Sequence, residues 1–361
     1  MGAQTAIRLE VLPARLGDCL LVECVREQAP PWRMLVDGGP PDTWPLLEAR
    51  LAGDPRIDVA VITHIDSDHI GGMIPYLSSP LATSIGDVWF NGRTHLPDVR
   101  QRSVTQGESV MTALLGTEEP GGQAAGTPLP WNLAFGGGPI DTGEGAGIVE
   151  HVVPDGPRIT LLSPASKQLR ALATVWHAVV HDATRGDKEL DQPDVPAPLT
   201  DLASLAAEKA AKDGSVPNGS SIALLLEHRG ASVVLAGDAF GTVLGAGLSG
   251  VAAHRGVARL PVDAFKLPHH GSKSNVLEDL LEVAPARHYL VSSNGDVFHH
   301  PDDQAVARVV MHAPRGATLW FNYRNARTER WADPALRAQH GYRTAYPDDP
   351  SRGVVLELPA R

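Results

Sequence analysis

Four side chains able to bind a metal ion fall within six residues of this chain. They are His64, Asp66, Asp68 and His69, in Thr63-His64-Ile65-Asp66-Ser67-Asp68-His69-Ile70-Gly71-Gly72. Two imidazoles and two carboxylates this close repel one another or stay unsatisfied unless a cation sits between them. A polar turn that only caps a helix starting near Ile70 needs one such side chain, not four. The run therefore predicts a divalent-metal site.

Further candidates stand after other apolar runs. Asp37, in Val36-Asp37-Gly38-Gly39, is either a plain Asp-Gly turn or a carboxylate that orients a ligand histidine. Asp238, in Leu235-Ala236-Gly237-Asp238, is either a turn aspartate or a bridge between two metals. His269 and His270 precede Gly271-Ser272-Lys273; adjacent histidines diverge, so one ligates a given ion and the other faces substrate. Of His299 and His300, His300 is the functional candidate. Asn218 and Ser221 can hold a water or a phosphate oxygen, and are equally common in turns. The remaining histidines lack ligand-like company; His177 and His181, four apart on a helical pattern, have no third ligand beside them.

These residues need rigid elements behind them, and strand ends supply such positions. Apolar or alternating runs predict strands at 7–12, 19–24, 32–36, 59–62, 87–90, 158–162, 222–227, 232–236, 262–267, 289–292, 318–321 and 354–358. Helical patterns cover 44–51, 166–181, 199–212, 276–283 and 303–312. The stretch 93–217 carries Gly-rich and Pro-rich pieces and reads as an insertion or lid within one domain spanning 1–361. Strands leading each half, with helices between, predict an α/β fold of two sheets faced by helices.

With 361 residues and a net charge of −11, the chain fits a soluble globular protein. No apolar run reaches the ~20 residues of a membrane span, and no secretory signal is read at the start. Cys19 and Cys24 point to opposite faces of a strand and do not pair, which predicts a cytoplasmic protein. The acidic balance argues against non-specific grip on nucleic acid.

Taken together, His64-x-Asp66-x-Asp68-His69 with Gly71-Gly72, the distant Gly237-Asp238 and His269-His270-Gly271-Ser272 resemble the metallo-β-lactamase superfamily. More narrowly, the order of Gly17-Asp18, Asp37-Gly38-Gly39, Asn218–Ser221 and His300-Pro301 resembles the hydrolase domain of ComEC-type DNA-uptake channels and its stand-alone relatives. The resemblance implies an αββα sandwich, with the insertion between its halves, and two divalent ions. It implies that His64, Asp66 and Asp238 hold the first ion, and Asp68, His69, Asp238 and His269 the second. Asp37 and Asn218 support them. Asp66, and Asn218 in Pro217-Asn218, stand where the superfamily usually has histidines. The richer oxygen set makes manganese a rival to zinc.

Such a pair of ions acidifies a water for attack on a phosphodiester, with Asp68 at the reacting centre and His270, Lys273 and His300 as candidates to serve the leaving oxygen. The expected function is a phosphodiesterase or nuclease with nucleic acid as partner. A small-molecule hydrolase acting on a lactone, lactam, thioester or cyclic nucleotide is the alternative, and a metal-stabilised binding module is a third reading. Arg324, Arg327, Arg330 and Arg337, interleaved with Trp320, Phe321, Tyr323 and Trp331, read either as a nucleic-acid track or as aromatics packed on the last helix.

Overall fold

The computed structural model describes residues 4–96, 106–116, 127–143, 145, 147–182, 196, 198–199 and 201–361. Most of the Pro-rich piece 193–198 and the side chains of His177 and His181 lie outside the described residues. The strands are β1 (Thr5–Val11), β2 (Leu20–Cys24), β3 (Trp32–Val36), β4 (Ile57–Val61), β5 (Ile85–Trp89), β6 (Glu150–Val152), β7 (Arg158–Ser163), β8 (Ala223–His228), β9 (Ala231–Leu235), β10 (Val262–Lys266), β11 (Ala286–Val291), β12 (Thr318–Phe321), β13 (Arg343–Ala345) and β14 (Val354–Pro359). The helices used below are α1 (Trp44–Leu51), α2 (Ser67–Ile70), α3 (Met73–Leu77), α4 (Gln106–Leu115), α5 (Ser166–Asp182), α6 (Leu202–Ala207), α7 (Val216–Gly219), α8 (Gly241–His254), α9 (Glu278–Val283) and α10 (Asp303–His312).

Side-chain alternation builds the layers. From β4 onward, Val59 and Val61 face one apolar cluster while Ala60 and Ile62 face another. The first sheet runs β14-β1-β2-β3-β4-β5 and the second β13-β12-β11-β10-β9-β8-β7-β6. Val22, Met34 and Val61 of the first meet Leu224, Val233 and Ala264 of the second in a shared core. On the outside of the first sheet, Leu47, Tyr76 and Trp176 bring α1, α3 and α5 onto Leu35 and Ala60. On the outside of the second, Leu244, Leu280 and Val309 bring α8, α9 and α10 onto Phe265 and Tyr289. This is the αββα sandwich of the metallo-β-lactamase fold, as the sequence predicts. Cys19 and Cys24 are free and lie in the outer and inner cores, on opposite faces.

Strands β3, β4 and β5 are parallel, as are β9, β10 and β11. Their C-terminal ends therefore share one edge of the sandwich, and Asp37, His64, Asp238 and His270 follow β3, β4, β9 and β10 there. The described parts of 93–217 join the sandwich: β6 and β7 extend the second sheet, and α5 covers the first. Helix α6 is shorter than the 199–212 pattern. The Arg308 guanidinium takes up the carbonyls of Ala206 and Glu208, where the chain turns extended. Helix α8, with glycines at 241, 245, 247 and 250, escapes the sequence reading. No helix among the described residues is long and apolar enough to cross a membrane.

Candidate metal centre

Three imidazoles are oriented by what their Nδ1 atoms touch. His69 Nδ1 lies 2.7 Å from Asp37 Oδ2, and a carboxylate can only accept, so Nδ1 carries the proton. His270 Nδ1 donates to the Ser292 carbonyl at 2.8 Å. Thr63 Oγ1 donates to Asp37 Oδ2 at 2.7 Å, which leaves it to accept from His64 Nδ1 at 3.0 Å. All three rings thus turn an Nε2 lone pair toward the same point.

The carboxylates stand around that point. Asp238 Oδ1 is 3.3 Å from His69 Nε2, and its Oδ2 is 3.5 Å from His270 Nε2. Asp68 Oδ2 is 3.8 Å from His69 Nε2 and 3.5 Å from His270 Nε2. Asp66 Oδ2 is 3.5 Å from His64 Nε2. Ligand atoms of His64, His69 and Asp238 form one close group, and those of Asp68, His69 and His270 another.

Two observations test whether a cation fits. His64 Nε2 and Asp238 Oδ1 are buried without a hydrogen-bond partner. His69 Nε2 and His270 Nε2 are 3.2 Å apart, and two lone pairs that close need a proton or a cation between them. Nitrogens bound at 2.0–2.1 Å to one tetrahedral ion would sit about 3.3 Å apart. The donor set, imidazole nitrogen with carboxylate oxygen, suits zinc or manganese.

Electrostatics agree. Burial by itself pushes His69 and His270 down, but Asp238, with Asp68 and Asp37 at His69 and Asp18 at His270, holds both well above the usual histidine range. Burial pushes Asp238 up, yet His270, His69 and His269 hold it well below the usual carboxylate range. In the absence of a cation, protons balance the charge.

Local backbone explains the placement. Asp66 precedes α2 with extended φ/ψ, so Asp68 and His69 fall in the first turn. Asp37 has φ 59°, a left-handed conformation uncommon outside glycine. It is held there by the backbone N–H and hydroxyl of Thr63 and by His69. His269 and His270 have φ 47° and 53°, which splays their rings.

His269, expected as the ligand after β10, lies further out. Its Nε2 is 3.8 Å from Asp238 Oδ2, while Nδ1 is 3.3 Å from Asp213 Oδ2 and 3.2 Å from Asn275 Oδ1. His270, expected to face substrate, is the one turned inward. Asn218 donates to Asp213 Oδ2 at 2.9 Å and so supports His269. His300 has its ring 5.1 Å from that of His269. Burial, helped by the charges of His269 and His270, pushes it down to about 3, so it is a neutral imidazole at neutral pH. Lys273 is half-buried, and its backbone N–H donates to Asp302 Oδ2 at 2.8 Å.

Ser221, read from the sequence as a holder of water or phosphate, supports the cluster itself, and three further supporting residues, Asp213, Asn275 and Lys266, escape the sequence reading. Ser221 Oγ bridges His64 Nδ1, 3.2 Å away, and the Asp238 N–H, 2.9 Å away. Asp213 and Asn275 hold His269, and Lys266 is buried against Asp18. Lys266 leaves one sequence signal, a lone cation ending an otherwise largely apolar strand. The arginine and aromatic segment near the end turns inward: Phe321 and Trp331 are buried, Arg330 pairs with Asp303, and Arg324 stacks on Tyr346 at 4.3 Å. Packing accounts for Phe321, Trp331 and Arg330, whereas Arg324 is exposed.

Residues 33–84 match the Metallo-beta-lactamase superfamily. No curated protein matches the chain. Among solved structures, the chain is similar to CmlA, a diiron beta-hydroxylase from Streptomyces venezuelae, at 12% identity and TM-score 0.42. That alignment covers 98% of this chain and 54% of the hydroxylase, so the chain spans about half its length. It is also similar to Zn(2+)-bound PqqB from Methylobacterium extorquens, at 11% identity and TM-score 0.42, covering 97% of this chain and 100% of PqqB. The matched segment holds β3 from Arg33 on, β4 and the whole run His64–His69. Over that segment the chain matches the metallo-beta-lactamase superfamily, and the segment sits in an αββα sandwich.

Proposed function

We propose that this protein is a divalent-metal-dependent hydrolase of phosphodiesters, with a nucleic acid as its substrate. The convergence of three imidazole Nε2 atoms and three carboxylates on one buried point carries the metal-dependent part of this reading. His64, Asp66 and Asp238 would hold one ion, and Asp68, His69, Asp238 and His270 the other. Bound there, two such ions would supply Lewis-acid chemistry, activation of a water and neutralisation of charge on the attacked group.

The remaining work falls to the chain's own residues. Asp37 and the Ser292 carbonyl fix the tautomers of His69 and His270. His269 takes the part expected of His270: it is partly exposed, and Asp238 and Asp213 outweigh burial to raise its pKa. A protonated His269 serves the leaving oxygen. His300 offers a neutral N–H donor beside it. The phosphodiester reading rests on the ComEC-type motif order. It gains from Phe298, which is 51% exposed and whose ring is stacked on His300 with centroids 6.4 Å apart. That ring offers a planar face to a base next to the scissile group.

A small-molecule substrate is the second reading, favoured by a cavity of about 510 Å³ lined by Asp213, Phe240, Gly241 and Leu277. Metal-free protein reloaded with manganese or zinc, assayed on single- and double-stranded DNA and RNA and on a lactone, lactam and thioester panel, separates the two. Metal-dependent cutting of nucleic acid, absent from Asp68→Ala, is the expected result. Turnover confined to the small-molecule panel would overturn the phosphodiester reading.

A further inference from the structure

Beneath the cluster lies a charge pair that the hydrolytic reading does not use. Lys266, the last residue of β10, and Asp18, between β1 and β2, are both fully buried. Lys266 Nζ pairs with Asp18 Oδ2 and donates to the Gly237 carbonyl at 3.3 Å. Asp18 Oδ1 lies 3.5 Å from His270 Nδ1.

Each end of this link touches a ligand-bearing segment. The Asp18 N–H donates to the Asp68 carbonyl at 3.3 Å, and an added Cβ on Gly17 would meet that same oxygen at 1.7 Å. The loop of Gly17 and Asp18 therefore lies directly on Asp68. Ser292, whose carbonyl accepts from His270, sends its hydroxyl to the Gly17 carbonyl at 2.7 Å. At the other end, Gly237 immediately precedes Asp238, and its carbonyl also accepts from His269 N at 3.0 Å. One ammonium thus ties the loop against Asp68, from the first sheet, to the strand end carrying Asp238, from the second.

Stability alone does not call for such a pair. Burying two charges costs as much as their attraction returns, and apolar residues of similar volume often serve as well or better. Resting on the reading that the cluster holds metal, we infer that Asp18 and Lys266 are positioning residues. They set the spacing of Asp68 against Asp238 and His270 across the two sheets.

The test compares wild type, Lys266→Met, Asp18→Asn and the double variant in chelator competition with manganese and zinc. The melting temperature of each metal-free protein is measured alongside. Lys266→Met alone leaves a buried carboxylate uncompensated and is expected to melt well below wild type. The double variant is expected to recover most of that loss yet bind metal about 10- to 100-fold more weakly, the range for residues supporting metal ligands. A double variant that binds metal like wild type, whatever its melting temperature, would overturn the inference. If the double variant does not fold, Asp18→Asn alone decides on the same two readouts: weakened affinity upholds the inference and wild-type affinity overturns it. A wild type that takes up neither metal would instead remove the metal-centre reading, and this inference with it.

Discussion

Asp37 acts on the cluster through His69 and through the backbone and hydroxyl of Thr63. Asp37→Asn removes the charge that holds the His69 N–H and is expected to weaken metal binding 10- to 100-fold, measured by chelator competition. Unchanged affinity would make Asp37 a turn residue. The raised His69 and His270 also fix a pH dependence. In metal-free protein their protons contribute stability that is fully present below the ordinary histidine value of ~6.5 and is lost as pH rises through their higher folded values. A metal ion must displace those protons. Binding should therefore release protons and tighten as pH rises toward those higher folded values, with the gain in melting temperature on metal loading growing in the same direction. Titrations in buffers of differing ionisation enthalpy check the proton release; none would contradict the assignment. At this scale the run 64–69 was legible because its ligands are neighbours in sequence. Which of His269 and His270 turns inward was not legible, because it depends on two left-handed backbone angles and on Ser292 and Asp213, 22 and 56 residues away respectively.

Close approach between elements matters as much as the ligands. Gly17→Ala would drive a Cβ into the Asp68 carbonyl, a backbone atom that cannot swing away. We expect it to cost about 1–3 kcal/mol of stability and to weaken metal binding together; wild-type values of both would contradict that packing. Helix α8 gives a paired expectation. A Cβ at Gly245 or Gly250 meets nothing within 4 Å, whereas at Gly247 it would lie 2.4 Å from the Leu162 carbonyl. Gly245→Ala and Gly250→Ala should each stabilise by about 0.5–1 kcal/mol, and Gly247→Ala should destabilise, read from thermal melts. The same glycines explain why α8 went unread: their helix propensity is poor, and packing on β7 and α9 supplies what propensity does not. Strands β3 and β12, by contrast, and helices α1 and α10, were legible to their ends, since their apolar spacing coincides with their buried faces.

At the scale of the whole molecule, the two parallel strand sets bring Asp37, the run His64–His69, Asp238 and His269–His270 to one edge of the sandwich. The order of motifs pointed to that arrangement, but the long-range supports did not show in the sequence. The Asp18–Lys266 pair joins residues 248 positions apart. The terminal arginines and aromatics divide: Trp331 is buried and Arg330 is paired to Asp303, while Arg324 stays exposed. The central claim is that six side chains from both halves make one two-metal centre with Asp238 shared. Its most direct test is the metal stoichiometry of wild type and Asp238→Ala after metal removal and equilibrium titration with manganese or zinc. Two ions per wild-type chain, with both sites weakened together in Asp238→Ala, is the predicted result. A wild type that binds no ion, or an Asp238→Ala variant that still binds two as tightly, would contradict it.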